Sequence, residues 1–249
     1  TTGAAGKTLI GGTGTYTGNI TIDDNTDGVG VFYGLDPGIG PSVSLSTRSS
    51  PWQVPQGLNA AGTGYDNIGA FTVNGDFTWN PGGVYGWEVS DFTGTAGSDW
   101  DLFSFNSSNA LAFDSAQAGN YKIKIYGINP TDGTAGSPDH FVRSPAGGPS
   151  SFKFLDSTGA GGFSYGGSSL SADYTFDEGF FDIDSDQFEW LVQDWQGMWQ
   201  VKYQHSDTAL YLVYSVVPEP STYVMVVGAL FLPVWNFFRR RRSRHKEEE

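Results

Sequence analysis

Phe71-Thr-Val-Asn-Gly-Asp-Phe-Thr-Trp-Asn-Pro-Gly-Gly-Val-Tyr-Gly-Trp-Glu-Val89 contains three short apolar runs separated by two turn signals. Phe71 and Val73, Phe77 and Trp79, and the run from Val84 to Val89 are rich in aromatic and β-branched residues. Their period of two is that of a strand. Asn74-Gly75 and Asn80-Pro-Gly-Gly83 provide the positive φ angles and the fixed proline φ from which tight turns are made. Each run is too short to bury a face alone, so it needs a neighbour from elsewhere in the chain.

The same grammar extends in both directions. Toward the N-terminus lie Asn19-Ile-Thr-Ile22, Gly30-Val-Phe-Tyr33 and Ser42-Val-Ser-Leu-Ser46. Toward the C-terminus lie Asp101 to Phe105, Ala110 to Phe113, Tyr121 to Tyr126, Ser151 to Leu155, Phe188 to Val192, Met198 to Tyr203 and Ala209 to Tyr214. Asp27-Gly28, Asp132-Gly133 and Gly161-Gly162 punctuate them, and Pro145-Ala-Gly-Gly-Pro-Ser-Ser151 reads as a long loop or a seam. Helical periodicity is nearly absent, which predicts an all-β protein. Sandwich, barrel and β-helix all accommodate this list. Stacked coils would let each short strand bury its face on the next and satisfy its backbone, although the strands recur without a strict period.

Residues 71–89, followed by Asp91-Phe-Thr-Gly-Thr-Ala-Gly-Ser-Asp-Trp-Asp-Leu-Phe103, resemble the autotransporter-like passenger repeats found in PEP-CTERM proteins. There, a Val-Asn-Gly strand, a Gly-Gly-x-Tyr-x-Trp-Glu strand and a Gly-Thr-Ala-Gly-x-x-Trp-Asp-Leu turn follow one another. The resemblance covers residues 66–128 well and 176–220 loosely. It implies a right-handed parallel β-helix, with an antiparallel β-sandwich as the alternative.

The C-terminus carries a second, separate pattern. Val217-Pro-Glu-Pro-Ser-Thr222 places prolines on both sides of Glu219, removing two backbone donors and holding the chain extended. Ser221 to Phe238 is 18 residues without a charge, a length that spans about 27 Å as a helix and suits a bilayer's hydrocarbon core. Arg239-Arg240-Arg241-Arg242 follows directly, as a basic stop on the cytoplasmic side. In this order the three elements resemble the PEP-CTERM sorting signal of exported bacterial proteins. The resemblance implies recognition of Pro218, Glu219 and Pro220 by exosortase, a membrane-embedded cysteine transpeptidase. It also implies a transient inner-membrane anchor and delivery to the cell surface or an extracellular polysaccharide matrix. The expected organisation is a β-rich exterior domain over 1–214, a sorting linker over 215–220, a transmembrane helix over 221–238 and a basic tail over 239–249.

Charge and composition narrow the function. Residues 1–238 carry 7 basic and 24 acidic groups, a net charge of −17. Nucleic-acid binding requires the opposite sign to displace phosphate counterions and is excluded. Cysteine is absent, so there is neither a disulfide nor thiolate chemistry. The chain opens on Thr1 without Met, and a secretory signal peptide is expected to have preceded it.

Candidate chemistry is sparse, and the sequence predicts no enzyme, no cofactor and no metal. Asp182-Ile-Asp-Ser-Asp186 places three acids on one face of an extended segment near Asp177 and Glu178. That is a possible calcium or glycosidase grouping, but no basic or aromatic partner is evident, and a solvated strand edge accounts for it better. Asp23-Asp-Asn-Thr-Asp-Gly28 opens like a calcium loop, yet the position of the distal bidentate Glu is Gly34. His140, His205 and His245 lack zinc spacing. Gly11-Gly-Thr-Gly14 lacks the phosphate-loop lysine, and Gly-Gly-Ser-Ser at 166–169 lacks the second glycine of a nucleophile elbow. Trp190, Trp195, Trp199 and Tyr203 fit either a glycan-stacking platform or, preferably, a β core or its end cap. The function expected is structural or adhesive. The alternative is a carbohydrate-binding or polysaccharide-active module, recognisable by a cleft with convergent acids and a basic residue.

Overall fold

The computed structural model describes residues 9–23, 31–32, 34–37, 68–131, 137–140, 150–185 and 197–216. Among them regular structure is β throughout, apart from the 3₁₀ turn Ser115–Gln117, whose Asp114 cap accepts from the Ala116 N–H. The sorting motif Pro218-Glu219-Pro220, the expected helix Ser221–Phe238 and Arg239 to Arg242 lie outside the described residues. Among the described residues no helix is long and apolar enough to cross a membrane.

The N-terminal strands are β1 (Leu9–Gly12), β2 (Gly14–Thr17), β3 (Ile20–Ile22), β4 (Val31–Phe32) and β5 (Gly34–Pro37). The chain then makes three comparable passes. The first is β6 (Ala70–Asn74), β7 (Phe77–Trp79) and β8 (Val84–Val89); the second is β9 (Leu102–Phe105), β10 (Leu111–Phe113) and β11 (Tyr121–Gly127). The third is β12 (Ser150–Ser157) and β13 (Phe163–Tyr165), followed by β14 (Ser168–Ser169), β15 (Tyr174–Thr175) and β16 (Phe181–Asp184). A final hairpin joins β17 (Gly197–Gln204) to β18 (Ala209–Val216).

Among the described residues the strands of the first two passes do not pair within their own pass, and in the third only β13 and β14 do. Two positions pair in parallel from pass to pass, β6–β9–β12 and β8–β11–β16, and at the middle position β10 pairs with β13 while β7 pairs with β3. The five-stranded sheet β1-β5-β8-β11-β16 is wholly parallel. The seven-stranded sheet β15-β17-β18-β12-β9-β6-β2 is parallel from β12 to β2 and antiparallel from β15 to β12. Two three-stranded sheets, β4-β3-β7 and β10-β13-β14, complete the set among the described residues, where no sheet closes. A wholly antiparallel sandwich is thereby ruled out.

In-register pairing stacks like on like in the interior. Leu35, Tyr85, Ile123 and Ile183 form one row, and Phe71, Phe103 and Leu155 another. Phe113 touches the rings of Trp79, Tyr121, Phe176, Phe180 and Phe181, so three passes meet on one buried side chain. Several aromatic polar tips are satisfied by backbone carbonyls: Tyr85 donates to Phe154 O at 2.9 Å and Trp87 Nε1 to Asp101 O at 3.1 Å. The tightest turn is Gly166-Gly167 between β13 and β14, with φ of 56° and 80°. Positive φ at both central positions is the type I′ requirement that glycine meets without strain.

Candidate functional site

The acidic segment sits on β16, the edge strand of the parallel sheet. Phe181 is buried and Ile183 packs on the core, so Asp182 and Asp184 share the outward face. Their neighbours across the ladder are Lys122 and Lys124, and Lys124 Nζ lies 2.7 Å from Asp184 Oδ2. The expectation that no basic partner accompanies these acids is therefore corrected: the adjacent strand supplies two lysines in register, invisible in the sequence because they lie 60 positions away. Asp186 lies outside the described residues. No group of three or more His, Asp or Glu among the described residues could hold a metal.

The other candidates separate. Asp23 Oδ2 accepts from Asn80 Nδ2 at 2.8 Å, a link between strand ends, while residues 24–28 lie outside the described residues. Gly11 and Gly12 end β1 and Gly14 opens β2. Trp199 and Tyr203 are buried in the core, Trp199 against Trp87 and Tyr214, so neither contributes to an exposed platform. Trp190, Trp195 and His245 lie outside the described residues. His205 Nδ1 faces Tyr203 OH at 3.3 Å.

His140 has φ of 56° and brings Nδ1 to 2.9 Å from Asp91 Oδ1. The same oxygen accepts from the Thr93 N–H at 2.8 Å and hydroxyl at 2.9 Å. The Thr93 N–H is the main cause, with the hydroxyl and His140 assisting, that holds Asp91 below the ordinary carboxylate value. This is an Asx-type turn clasped by a histidine, at the corner between β8 and β9.

That corner contains a group the sequence reading passed over. Asp101 is fully buried; its Oδ1 accepts from Gly69 N and its Oδ2 from Glu88 N, each at 2.9 Å. One carboxylate thus ties the entry to β6, strand β8 and the start of β9 together. Asp99 holds the turn above it through Oδ2 to Thr95 N at 2.7 Å. The Trp-Asp-Leu of the Gly-Thr-Ala-Gly-x-x-Trp-Asp-Leu pattern carried the signal: its Asp101 serves backbone donors.

The most chemically loaded cluster lies on the seven-stranded sheet, where β12 meets the β17–β18 turn. Lys153 Nζ is 2.9 Å from Asp207 Oδ2 and 3.9 Å from Asp156 Oδ1. A register shift between Lys153 and Leu155 accompanies this approach. Tyr211, opposite Lys153 on β18, donates its hydroxyl to Asp207 Oδ2, and its ring centroid is 5.9 Å from Nζ. Burial pushes the Asp156 carboxyl up, with Lys153 pulling the other way. For Asp207 burial also pushes upward, but hydrogen bonds from Tyr211 and Lys153 outweigh it and leave that carboxyl low. Burial and the Asp207 charge push the Tyr211 phenol well up. Two carboxyl groups shifted in opposite directions thus flank one amine. Thr208, next to Asp207, has φ of 51°, and its carbonyl accepts from Ser157 N at 3.1 Å. A β-branched residue takes that conformation only where its surroundings enforce it.

No family model, curated protein or solved structure matches the chain.

Proposed function

We propose that the chain is an exported bacterial surface or matrix protein. In this reading its body is a short parallel β-helix, and exosortase processes its C-terminal sorting signal. The observation that carries the reading is the order of three elements at one chain end: Pro218-Glu219-Pro220, the uncharged Ser221–Phe238 segment, and Arg239 to Arg242. An ordinary tail anchor accounts for the last two but not for the first. The parallel pairing of successive passes supports the β-helix, since a chain that winds repeatedly through the same three directions pairs each strand with its successor one turn later. The role is structural or adhesive, not catalytic: presentation of an acidic, hydrogen-bonding β surface to an extracellular polysaccharide. The cross-strand Lys124–Asp184 pair supports this over a calcium site, because it already neutralises one of the acids of the edge strand.

The test is expression of the full chain in an exosortase-bearing host, with the secreted C-terminal peptide identified by mass spectrometry. Secreted protein should end before Arg239, and Glu219→Ala or deletion of Arg239 to Arg242 should leave it in the inner membrane. Secreted chains still ending at Glu249 would overturn the proposal.

A further inference from the structure

We propose that Lys153 and Asp207 condense to an intramolecular amide that staples β12 to the β17–β18 turn, with Asp156 as the proton carrier. Lys153 lies on β12 and Asp207 in the turn that leads into β18, the strand paired with β12, so folding itself sets their approach. Nζ is 2.9 Å from Asp207 Oδ2, and Lys153 stands between two carboxyl groups on the same side of the sheet. The Tyr211 hydroxyl bonds the same Oδ2, polarising the carboxyl, while its ring lies beside the amine. The turn that carries Asp207 is fixed by the Ser157–Thr208 bond.

The balance needs no co-reactant. The starting pair is an ammonium and a carboxylate, and one proton passes from Nζ to Asp207 Oδ2. The nitrogen lone pair then forms the bond to Asp207 Cγ, and the carbonyl π pair moves onto oxygen. Asp156 takes a proton from the nitrogen and gives it to the departing Oδ2 hydroxyl, returning to its initial state. The Cγ–Oδ2 bond breaks, the carbonyl re-forms, and one water leaves. Nothing is oxidised or reduced. Condensation in water is normally unfavourable, but oriented partners within one molecule reach effective concentrations of roughly 10⁵ M or more. The chain has no cysteine, so an amide is its means of placing a covalent clasp across this sheet. The inference stands apart from the sorting proposal, and either can fail without the other.

The experiment is proteolytic mapping of the purified, folded full chain by tandem mass spectrometry. The expected result is a joined species containing the peptides of Lys153 and Asp207, lighter by one water than their sum, with no cleavage after Lys153. Lys153→Arg keeps the ion pair but cannot form the link, and should return both peptides separately. Asp156→Ala keeps both reacting groups and should slow linkage by about 100-fold, the scale of a lost proton carrier. A far-UV spectrum unchanged from the parent shows that each variant folds. Recovery of only separate peptides from the folded parent chain, or of a link to Asp156 instead, would overturn the proposal. Undiminished linkage in Asp156→Ala would overturn its role as proton carrier.

Discussion

The parallel body and the antiparallel hairpin of this protein solve the same burial problem with opposite arrangements of charge. In the body, β8, β9 and β11 carry aromatic and aliphatic rows from pass to pass, and the decisive charge, Asp101, is inside and serves backbone donors. In the hairpin, β17 and β18 pair over eight positions from Gly197↔Val216 to Gln204↔Ala209, and the charges gather at the turn with β12. The hairpin closes on contacts local in sequence. The body closes mainly when segments far apart in sequence meet, as Phe71 and Phe103 do across 32 residues. Long-range pairing without local turns leaves corner carbonyls and N–H groups to be satisfied by side chains, and that is the task of Asp99 and Asp101.

The strongest way to break this comparison is Phe113→Ala. Removing a ring shared by three passes should cost about 3–5 kcal/mol in urea unfolding. Hydrogen exchange should then accelerate in β8, β10 and β11 more than in β17 and β18. Equal acceleration in both regions would show that body and hairpin are one cooperative unit.

Asp101→Ala should come next. It strands the Gly69 and Glu88 N–H groups in a buried corner, at a cost of about 3 kcal/mol. Asp101→Asn retains an acceptor and should cost about half as much. A loss below about 1 kcal/mol for the alanine variant would mean that water replaces the carboxylate and that the corner is not closed by charge.

The smallest effect should come from the exposed clasp of the same corner. Asp91 has a lower pKa in the folded chain than in the unfolded one, so its contribution is complete above the ordinary carboxylate range and is lost as pH falls through the lowered value. Asp91→Ala should cost about 0.5–1 kcal/mol at neutral pH, and the gap to the parent chain should close in acid. A gap that persists at low pH would assign the loss to turn geometry, not to charge.

Much of the strand content was legible. Ala70 to Val73, Val84 to Val89, Tyr121 to Tyr126 and Ala209 to Tyr214 announce themselves by alternation and aromatic content, and the structure extends each by at most two residues at its C-terminal end. The strands missed were short ones rich in small or polar residues: β1 is Leu-Ile-Gly-Gly, β2 Gly-Thr-Tyr-Thr and β5 Gly-Leu-Asp-Pro, and β13 to β16 are interleaved with Gly, Ser and Asp. Pairing was not legible, because no local pattern states that Tyr85 will lie beside Ile123. For the same reason Lys124 could not be matched with Asp184, nor Lys153 with Asp207. A pair of charges becomes visible only when register is known.

The register rows carry one more implication. Phe103 follows Phe71 by 32 residues, yet Leu155 follows Phe103 by 52, and the two steps are built into the same sheet side by side. The ladder recognises strands and is indifferent to the amount of chain between them. Lengthening a loop adds only about 0.6 kcal/mol for each doubling. The corners are therefore places where evolution, or an engineer, can graft new segments of almost any size, changing what the protein displays while its interior stays the same.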